Sequence, residues 1–244
     1  MSLRPHISVV IPVFNEENFI RPCLDALLQQ TVKADSIFIV NNNSTDQTLS
    51  IIEEYAGITI VHQPVQGICA AVKMGLDVAA ERGGIILHCD ADCIPESDWI
   101  EKVSTIFQTT NAIAVTGPGV AYDVGPVQRW LIHQFYMKAY FFFVGLAVGR
   151  KPLFGSNFSI KAAIWNEVSA ETHLLSHQDI HDDIDISYHL ENKGRIYFDP
   201  ALTMPMSARP FKHLSKLPQR YAIGFRSIFM HWPEQAPWNI KEKS

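Results

Sequence analysis

Apolar and polar positions alternate between two periods along the first half of the chain. Ile7 to Val13 is an apolar, β-branched run stopped by Pro12 and Asn15, the pattern of a strand buried on both faces. From Glu17 to Gln30 the apolar residues Ile20, Leu24, Leu27 and Leu28 recur at helical spacing. The alternation continues. It predicts strands over Ser36 to Val40, Ile58 to His62 and Ile85 to His88, and helices over Ser44 to Ala56, Ile68 to Glu81 and Asp98 to Gln108. Gly57 and the Gly83-Gly84 pair end two of these helices. Strands separated by helices of this length imply an α/β fold, a mostly parallel sheet with helices on both faces.

The second half is less regular. Ile113 to Gly117 reads as a strand, Gly117-Pro118-Gly119 as a turn and Val127 to Val148 as a helix. Phe154 to Lys161 carries a loop or strand signal. Asp182 to Glu191 has a helical pattern ended by Gly194, and Arg195 to Asp199 is a strand. The most apolar stretch, Ala139 to Gly149, is shorter than the roughly 20 residues that span a bilayer. Its simpler reading is a buried helix; the sharper one is a helix touching a membrane surface or an apolar acceptor.

Composition narrows the classes. The 244 residues show no repeat and no linker, so one domain over residues 1–244 is expected. With 20 basic and 25 acidic residues the net charge is −5, which lacks the basic footprint of a nucleic-acid binder. Cys23, Cys69, Cys89 and Cys93 follow no paired zinc spacing and read as reduced and buried. The N-terminus runs straight into a strand, so no signal peptide is expected. Together these point to the cytoplasm, with peripheral contact at the inner face of a membrane as an option.

Ligands of parallel α/β sheets bind at the carboxyl ends of the strands. Four polar clusters fall there: Asn15-Glu16-Glu17, Asn41-Asn42-Asn43-Ser44, Gln66-Gly67 and Asp90-Ala91-Asp92. They are expected to converge on one crevice. Asp90 and Asp92 offer hard oxygens that suit Mg2+ or Mn2+ bridging to phosphates. The asparagine amides carry donors and acceptors that suit a nucleobase edge, and helix capping is their simpler role. Asp182, Asp183 and Asp185 form a second acidic cluster at a helix start. A solvated first turn is the plain reading; a general base supplied from a separate segment is the functional one. His177 and His181 have i, i+4 spacing without a zinc-protease pattern, His213 is a conceivable further metal ligand, and His88 reads as a structural strand histidine. No Gly-x-Gly-x-x-Gly follows the first strand, and neither a P-loop nor a Gly-x-Ser-x-Gly elbow occurs.

Taken in order, these residues resemble family-2 glycosyltransferases. Ser8-Val9-Val10-Ile11-Pro12-Val13-Phe14-Asn15-Glu16-Glu17 is similar to the family's opening, and Val40 to Thr48 to its second motif, usually Val-Asp-Asp-Gly-Ser-Thr-Asp. Gln66-Gly67 through Gly75 resembles its Gly-rich helix segment, and Asp90-Ala91-Asp92-Cys93-Ile94-Pro95 its metal motif. Gly155-Ser156-Asn157 looks like its acceptor-side loop and Asp182-Asp183-Ile184-Asp185 like its Glu-Asp-x-Asp motif. The likeness covers roughly residues 6 to 200.

The resemblance implies a GT-A, Rossmann-like fold with a nucleotide-sugar-binding half over about 6–117 and an acceptor-binding half over about 118–244. It implies that Pro12, Asn15, Glu17, Asn42, Gly67, Asp90 and Asp92 bind the nucleotide-sugar and that Asp92 and Asp90 hold Mg2+ or Mn2+. Gly155, Asn157 and Asp182 would lie on the acceptor side, and Asp183 would be the catalytic base of an inverting transfer to a hydroxyl acceptor, glycan or lipid-linked. Three departures stand out: Asn41-Asn42-Asn43 for Asp-Asp-Gly, Val72-Lys73 for an Arg-Asn pair, and Asp182 for Glu. The neutral asparagines leave the nucleobase open, with UDP the default and GDP the other choice. The Gln-x-x-Arg-Trp signature of processive synthases is absent, and Gln219-Arg220-Tyr221 is a faint echo of it. An inactive nucleotide-sugar-binding protein and a nucleotidyltransferase are the rival readings. Asp183 argues against the first, and the acidic loop after the first strand against the second.

Overall fold

A strand whose side chains are buried on both faces must sit inside a sheet covered by two layers, and β1 (Ile7–Val13) is such a strand. The computed structural model describes residues 4–177, 179–212 and 217–239. In it β1 lies between β2 (Ser36–Asn41) and β4 (Ile85–His88), parallel to both. β3 (Ile58–His62), β5 (Ala112–Thr116), β7 (Phe158–Lys161) and β8 (Arg195–Phe198) complete a seven-stranded sheet in the order β3-β2-β1-β4-β7-β5-β8. β7 alone runs antiparallel to its neighbours. β6 (Gly119–Ala121) and β9 (Met204–Met206) pair as a separate two-stranded sheet.

Alternate residues of β1 feed two cores. Ile7, Val9 and Ile11 pack with α1 (Ile20–Leu28), α2 (Thr48–Glu53) and α4 (Trp99–Thr109). Val10 faces the other layer, made by α3 (Ile68–Ala80), α7 (Ala162–Val168) and α8 (Asp182–His189). α3 approaches the sheet closely because Gly75 carries no Cβ. One built there would stand 2.3 Å from Val10 Cγ1 and 2.8 Å from Val40 Cγ2. The chain leaves β1 toward β2 and β3, then returns to β4 on the opposite side of β1. That reversal opens a crevice at the carboxyl ends of β1 and β4.

The predicted helix over Ser44 to Ala56 is shorter in the structure. The amides of Thr45, Gln47 and Thr48 are held by Asn15 Oδ1, Glu17 Oε2 and Asp46 Oδ1, so residues 44–47 form a loop before α2. The antiparallel insertion of β7, the small β6–β9 sheet and α7 carried no clear signal in the sequence, and nor did α9 (Arg209–Lys212) and α10 (Leu217–Phe229).

The apolar second-half helix requires two corrections. α5 (Pro126–Leu131), π-helical turns over Ile132–Met137 and Tyr140–Val144, and α6 (Gly145–Val148) run on as one helix. That helix, Pro126–Val148, has 23 residues and contains an 18-residue stretch of mean hydropathy 1.3, long and apolar enough to cross a membrane by length and composition. Reading only Ala139 to Gly149 as apolar left out the turns that precede it. Nor is it a buried helix: Met137, Phe141 and Val148 are inside, whereas Val127, Trp130, Phe135, Phe142, Phe143 and Leu146 face outward.

Candidate active site

Each of the four polar strand ends contributes to one cleft. Pro12 lies near the carboxyl end of β1 and Glu16 follows it, Asn42 follows β2, Gln66 precedes α3, and Asp90 and Asp92 follow β4. Together with Arg209 they line a cavity of about 380 Å³.

Three predicted residues do not line this cleft: Gly67, which lies between its lining residues Gln66 and Ile68, and Asn15 and Glu17. Asn15, in a left-handed conformation at φ 56°, accepts the Thr45 amide through Oδ1 at 2.8 Å. Glu17 accepts the Gln47 amide at 3.0 Å. Both side chains brace the loop before α2, and Glu16 is the acid that faces the cavity.

Asn42 lines the cleft with its amide already committed. Nδ2 donates to the carbonyls of Gln63 and Val65 at 2.9 and 2.7 Å, and Oδ1 accepts the Gly67 amide at 2.7 Å. An Asp here has no donor for those two carbonyls, which explains the Asn physically. Gly67 sits at φ 144°, a conformation suited to glycine at the entry to α3.

Asp90 and Asp92 are drawn in different directions. Ser156 Oγ donates to Asp90 Oδ2 at 2.5 Å. Asp92 Oδ2 accepts from Arg209 Nε and Nη2 at 3.1 and 2.8 Å. The same guanidinium forks onto Glu16 at 2.9 and 3.0 Å and lies 4.1 Å above the Phe19 ring. Burial, then the Asp90 charge, pushes the Asp92 carboxyl up to about 6, although Arg209 opposes the shift. Burial also raises Asp90 and Glu16. Among the described residues, Arg209 is the basic group that meets these carboxylates. Asp90, Asp92 and Cys93 each offer one ligand atom within 4.8 Å of the others. Cys93 is a poor member of that set: burial holds its thiol well above the ordinary range, and it donates to Ser156 O. The donor set that fits a hard divalent cation is the carboxylate pair.

Residues 155 and 156 join this pair to the second acidic cluster. The Gly155 amide donates to Asp183 Oδ2 at 2.8 Å, and the next residue, Ser156, holds Asp90. The Tyr140 hydroxyl lies 2.8 Å from Asp183 Oδ2 and 2.6 Å from Leu153 O, so its one proton serves two acceptors. Burial, then Asp183 and Asp90, raises the Asp182 carboxyl well above the usual carboxylate range. His88 Nδ1 donates to Gly155 O at 2.7 Å and its ring stacks on Phe158; burial lowers its pKa to about 4. Asn157 belongs to the core: Oδ1 accepts from Trp99 Nε1 and Nδ2 donates to Leu202 O. Asp185 is fully buried against His173, His189 and His231, away from the cleft residues. His213 lies outside the described residues, and His181 Nε2 faces Arg220 O, 3.4 Å away. Sequence reasoning missed Arg209, which stands in an irregular Ser207-Ala208-Arg209-Pro210 segment without a motif around it.

A mostly parallel sheet with paired carboxylates at its topological switch defines a class of nucleotide-dependent α/β enzymes, and comparisons place the chain within it. The family model for Glycosyl transferase family 2 matches residues 8–164, and the chain belongs to that family. It is similar to glycosyltransferase AglE of Haloferax volcanii, 28% identical over 252 residues covering 94% of this chain and 76% of that protein. It is 35% identical over 108 residues to glycosyltransferase GlyA of Streptococcus pneumoniae serotype 4, covering 42% of this chain and 14% of GlyA. Among solved structures, a mannosyltransferase from Pyrobaculum calidifontis in complex with GDP-Man and Mn2+ aligns with TM-score 0.65 at 17% identity, covering 91% of this chain and 62% of that one. Glucosyl-3-phosphoglycerate synthase from Mycobacterium tuberculosis, with Mn2+ and UDP, aligns at 0.56 and 20%, covering 88% and 76%. The fold is GT-A. The chain spans less than two thirds of most of the relatives it matches, 14% of GlyA and 62% of the mannosyltransferase among them.

Proposed function

We propose that the enzyme moves one sugar from a nucleoside-diphosphate sugar to a hydroxyl acceptor by direct displacement, inverting the anomeric carbon. One observation carries this reading. The Gly155–Ser156 turn binds Asp183 with one residue and Asp90 with the next, so a candidate base lies beside the carboxylates of the donor cleft. Asp183 takes the acceptor hydroxyl's proton as that oxygen bonds to the anomeric carbon and the sugar–phosphate bond breaks. Gly155 and Tyr140 orient its carboxylate.

Asp92 and Asp90 would hold Mg2+ or Mn2+, whose charge would stabilise the departing diphosphate. Pro12, Asn42 and Gly67 shape the donor pocket, while Asn15 and Glu17 act on it through the loop before α2. Arg209 neutralises Glu16 and Asp92 and faces the same cavity, which suits a group that meets phosphate. We assign residues 6–117 to the donor and 118–244 to the acceptor. Asp182, Gly155 and Asn157 support the acceptor side, Asn157 from within the core. A UDP-sugar is the first choice of donor; the solved neighbours hold both GDP- and UDP-containing ligands.

The outward-facing aromatics of Pro126–Val148 favour an acceptor that is lipid-linked or held at a membrane surface, with the enzyme peripheral on the cytoplasmic face. Phe141 and Phe142 line a second cavity of about 640 Å³ with Phe198 and Lys151, one residue from Tyr140.

A thermal-shift screen of UDP-, GDP- and dTDP-sugars with Mn2+ or Mg2+ tests the donor assignment. One nucleotide should raise the melting temperature only when metal is present. Absence of any metal-dependent shift would overturn the reading.

A further inference from the structure

Four side chains that take no part in the proposed transfer meet behind α8. Asp183 and Asp185 are two positions apart on that helix, about 200° around its axis, so they face opposite sides. Asp185 points into a group formed by His189 of the same helix, His173 of the preceding loop and His231 just beyond α10. One ligand atom from each of the four lies within 4.8 Å of the others.

The spacings are those of a coordination shell. His173 Nδ1, His231 Nε2 and His189 Nε2 stand 2.8, 3.2 and 3.6 Å from Asp185 Oδ1, and His189 Nε2 stands 3.3 Å from His173 Nδ1. Zinc bonds of about 2.0–2.1 Å in a tetrahedron place ligand atoms roughly 3.3 Å apart.

The tautomers agree. His231 Nδ1 donates to the Ser227 carbonyl at 2.7 Å, so in the neutral ring Nε2 carries the lone pair. That Nε2 is buried, makes no hydrogen bond and turns toward the group. His189 directs its other nitrogen, Nδ1, toward Glu171 Oε2 at 4.0 Å. The His173 amide donates to Asp185 Oδ2 at 2.9 Å, which leaves Oδ1 for the centre. Outer partners of this kind fix ligand orientation in metal sites. Tyr188 stacks on the His231 ring at 4.2 Å and closes that side.

We propose that His173, Asp185, His189 and His231 bind one structural Zn2+. The ion pins the segment after α10 and the loop at residue 173 onto the helix that carries Asp183. This holds independently of the transfer chemistry, because none of the four residues lines the donor cleft.

Metal analysis of the full chain, purified without chelator, should find about one zinc per chain. Chelation should lower the melting temperature, and added Zn2+ should restore it. Co2+ loaded in place of zinc should show the visible bands of a tetrahedral site. His173→Gln, at a half-buried position, should weaken zinc affinity by more than about tenfold, and His231→Gln should do the same. Asp92→Asn should leave this zinc in place, which separates the site from any donor-cleft metal. A zinc-free protein that takes up no tetrahedral Co2+ would overturn the proposal. So would zinc retained undiminished in both histidine variants, or zinc lost in Asp92→Asn.

Discussion

The two halves of the chain treat their apolar residues differently. In residues 6–117 the large side chains fill two cores on either side of β1, and few, such as Phe14 and Ile68, face solvent. In residues 118–239 the helix Pro126–Val148 and α10 turn Trp130, Phe135, Phe142, Phe143, Phe225 and Phe229 outward. Yet the halves are not separate bodies, since β7 and β8 of the second complete the sheet of the first. The first half therefore has a finished interior with a polar cleft cut into its edge. The second lends strands to that sheet and Arg209 to that cleft, and keeps an apolar surface of its own. A donor site needs fixed polar groups, which the regular half provides; an apolar surface suits an acceptor that is itself apolar.

The largest expected effect is on the donor side. Asp92→Ala should lower transfer on the order of 1,000-fold and abolish metal-dependent nucleotide binding, measured by steady-state rates and calorimetry. Unchanged turnover would remove the metal from the cleft. Next is Asn157→Ala, at a residue that the family resemblance puts on the acceptor side and the structure puts in the core. Removing its amide strands the buried Trp99 Nε1–H and the Leu202 carbonyl, so urea unfolding should show a loss of about 2–4 kcal/mol. The folded fraction should still turn over; a large fall in kcat without loss of stability would make Asn157 an acceptor contact.

His88 ranks third and brings pH into the comparison. Burial depresses its folded pKa to about 4, below the ordinary 6.5, so the unfolded chain binds this proton more readily. Its contribution is present above pH 6.5 and is lost as pH falls toward 4, by up to ~3 kcal/mol. Wild-type stability should decline across that window, and His88→Phe should flatten the decline. An identical slope in the variant would assign the acid sensitivity elsewhere. The smallest effect on stability is expected from Phe142→Ser with Phe143→Ser. Both rings are exposed, so unfolding free energy should stay within about 0.5 kcal/mol of wild type while sedimentation with anionic vesicles falls. If the wild type fails to sediment with vesicles, the membrane-facing role of this helix is wrong.

How far the sequence could be read follows the same division. β1 to β4 and α3 were legible because a strand buried on both faces is an unbroken apolar run and because glycines mark the helix ends. Asp90 and Asp92 stood out by following such a strand. Asn42 looked like a reader of bases, because sequence cannot show that the 63–67 loop takes both amide hydrogens. Arg209 pairs with Glu16 across 193 residues and with Asp92 across 117, a separation at which no local pattern survives. The same distance hid the His173, Asp185, His189 and His231 cluster, whose members come from a loop, a helix and the segment after another helix. The helix Pro126–Val148 was visible as a helix, but its burial was not. A helix apolar on most sides looks alike whether its cover is protein or something else.

The most direct test is Asp183→Asn titrated with the donor nucleotide-sugar and Mn2+, alongside a transfer assay. The variant keeps the cleft carboxylates and Arg209, so it should bind donor with the affinity of the wild type. Transfer should fall on the order of 100- to 10,000-fold, because no base remains for the acceptor proton. Transfer at the wild-type rate would contradict the assignment of Asp183 and, with it, the proposal that the Gly155–Ser156 turn joins base and donor site.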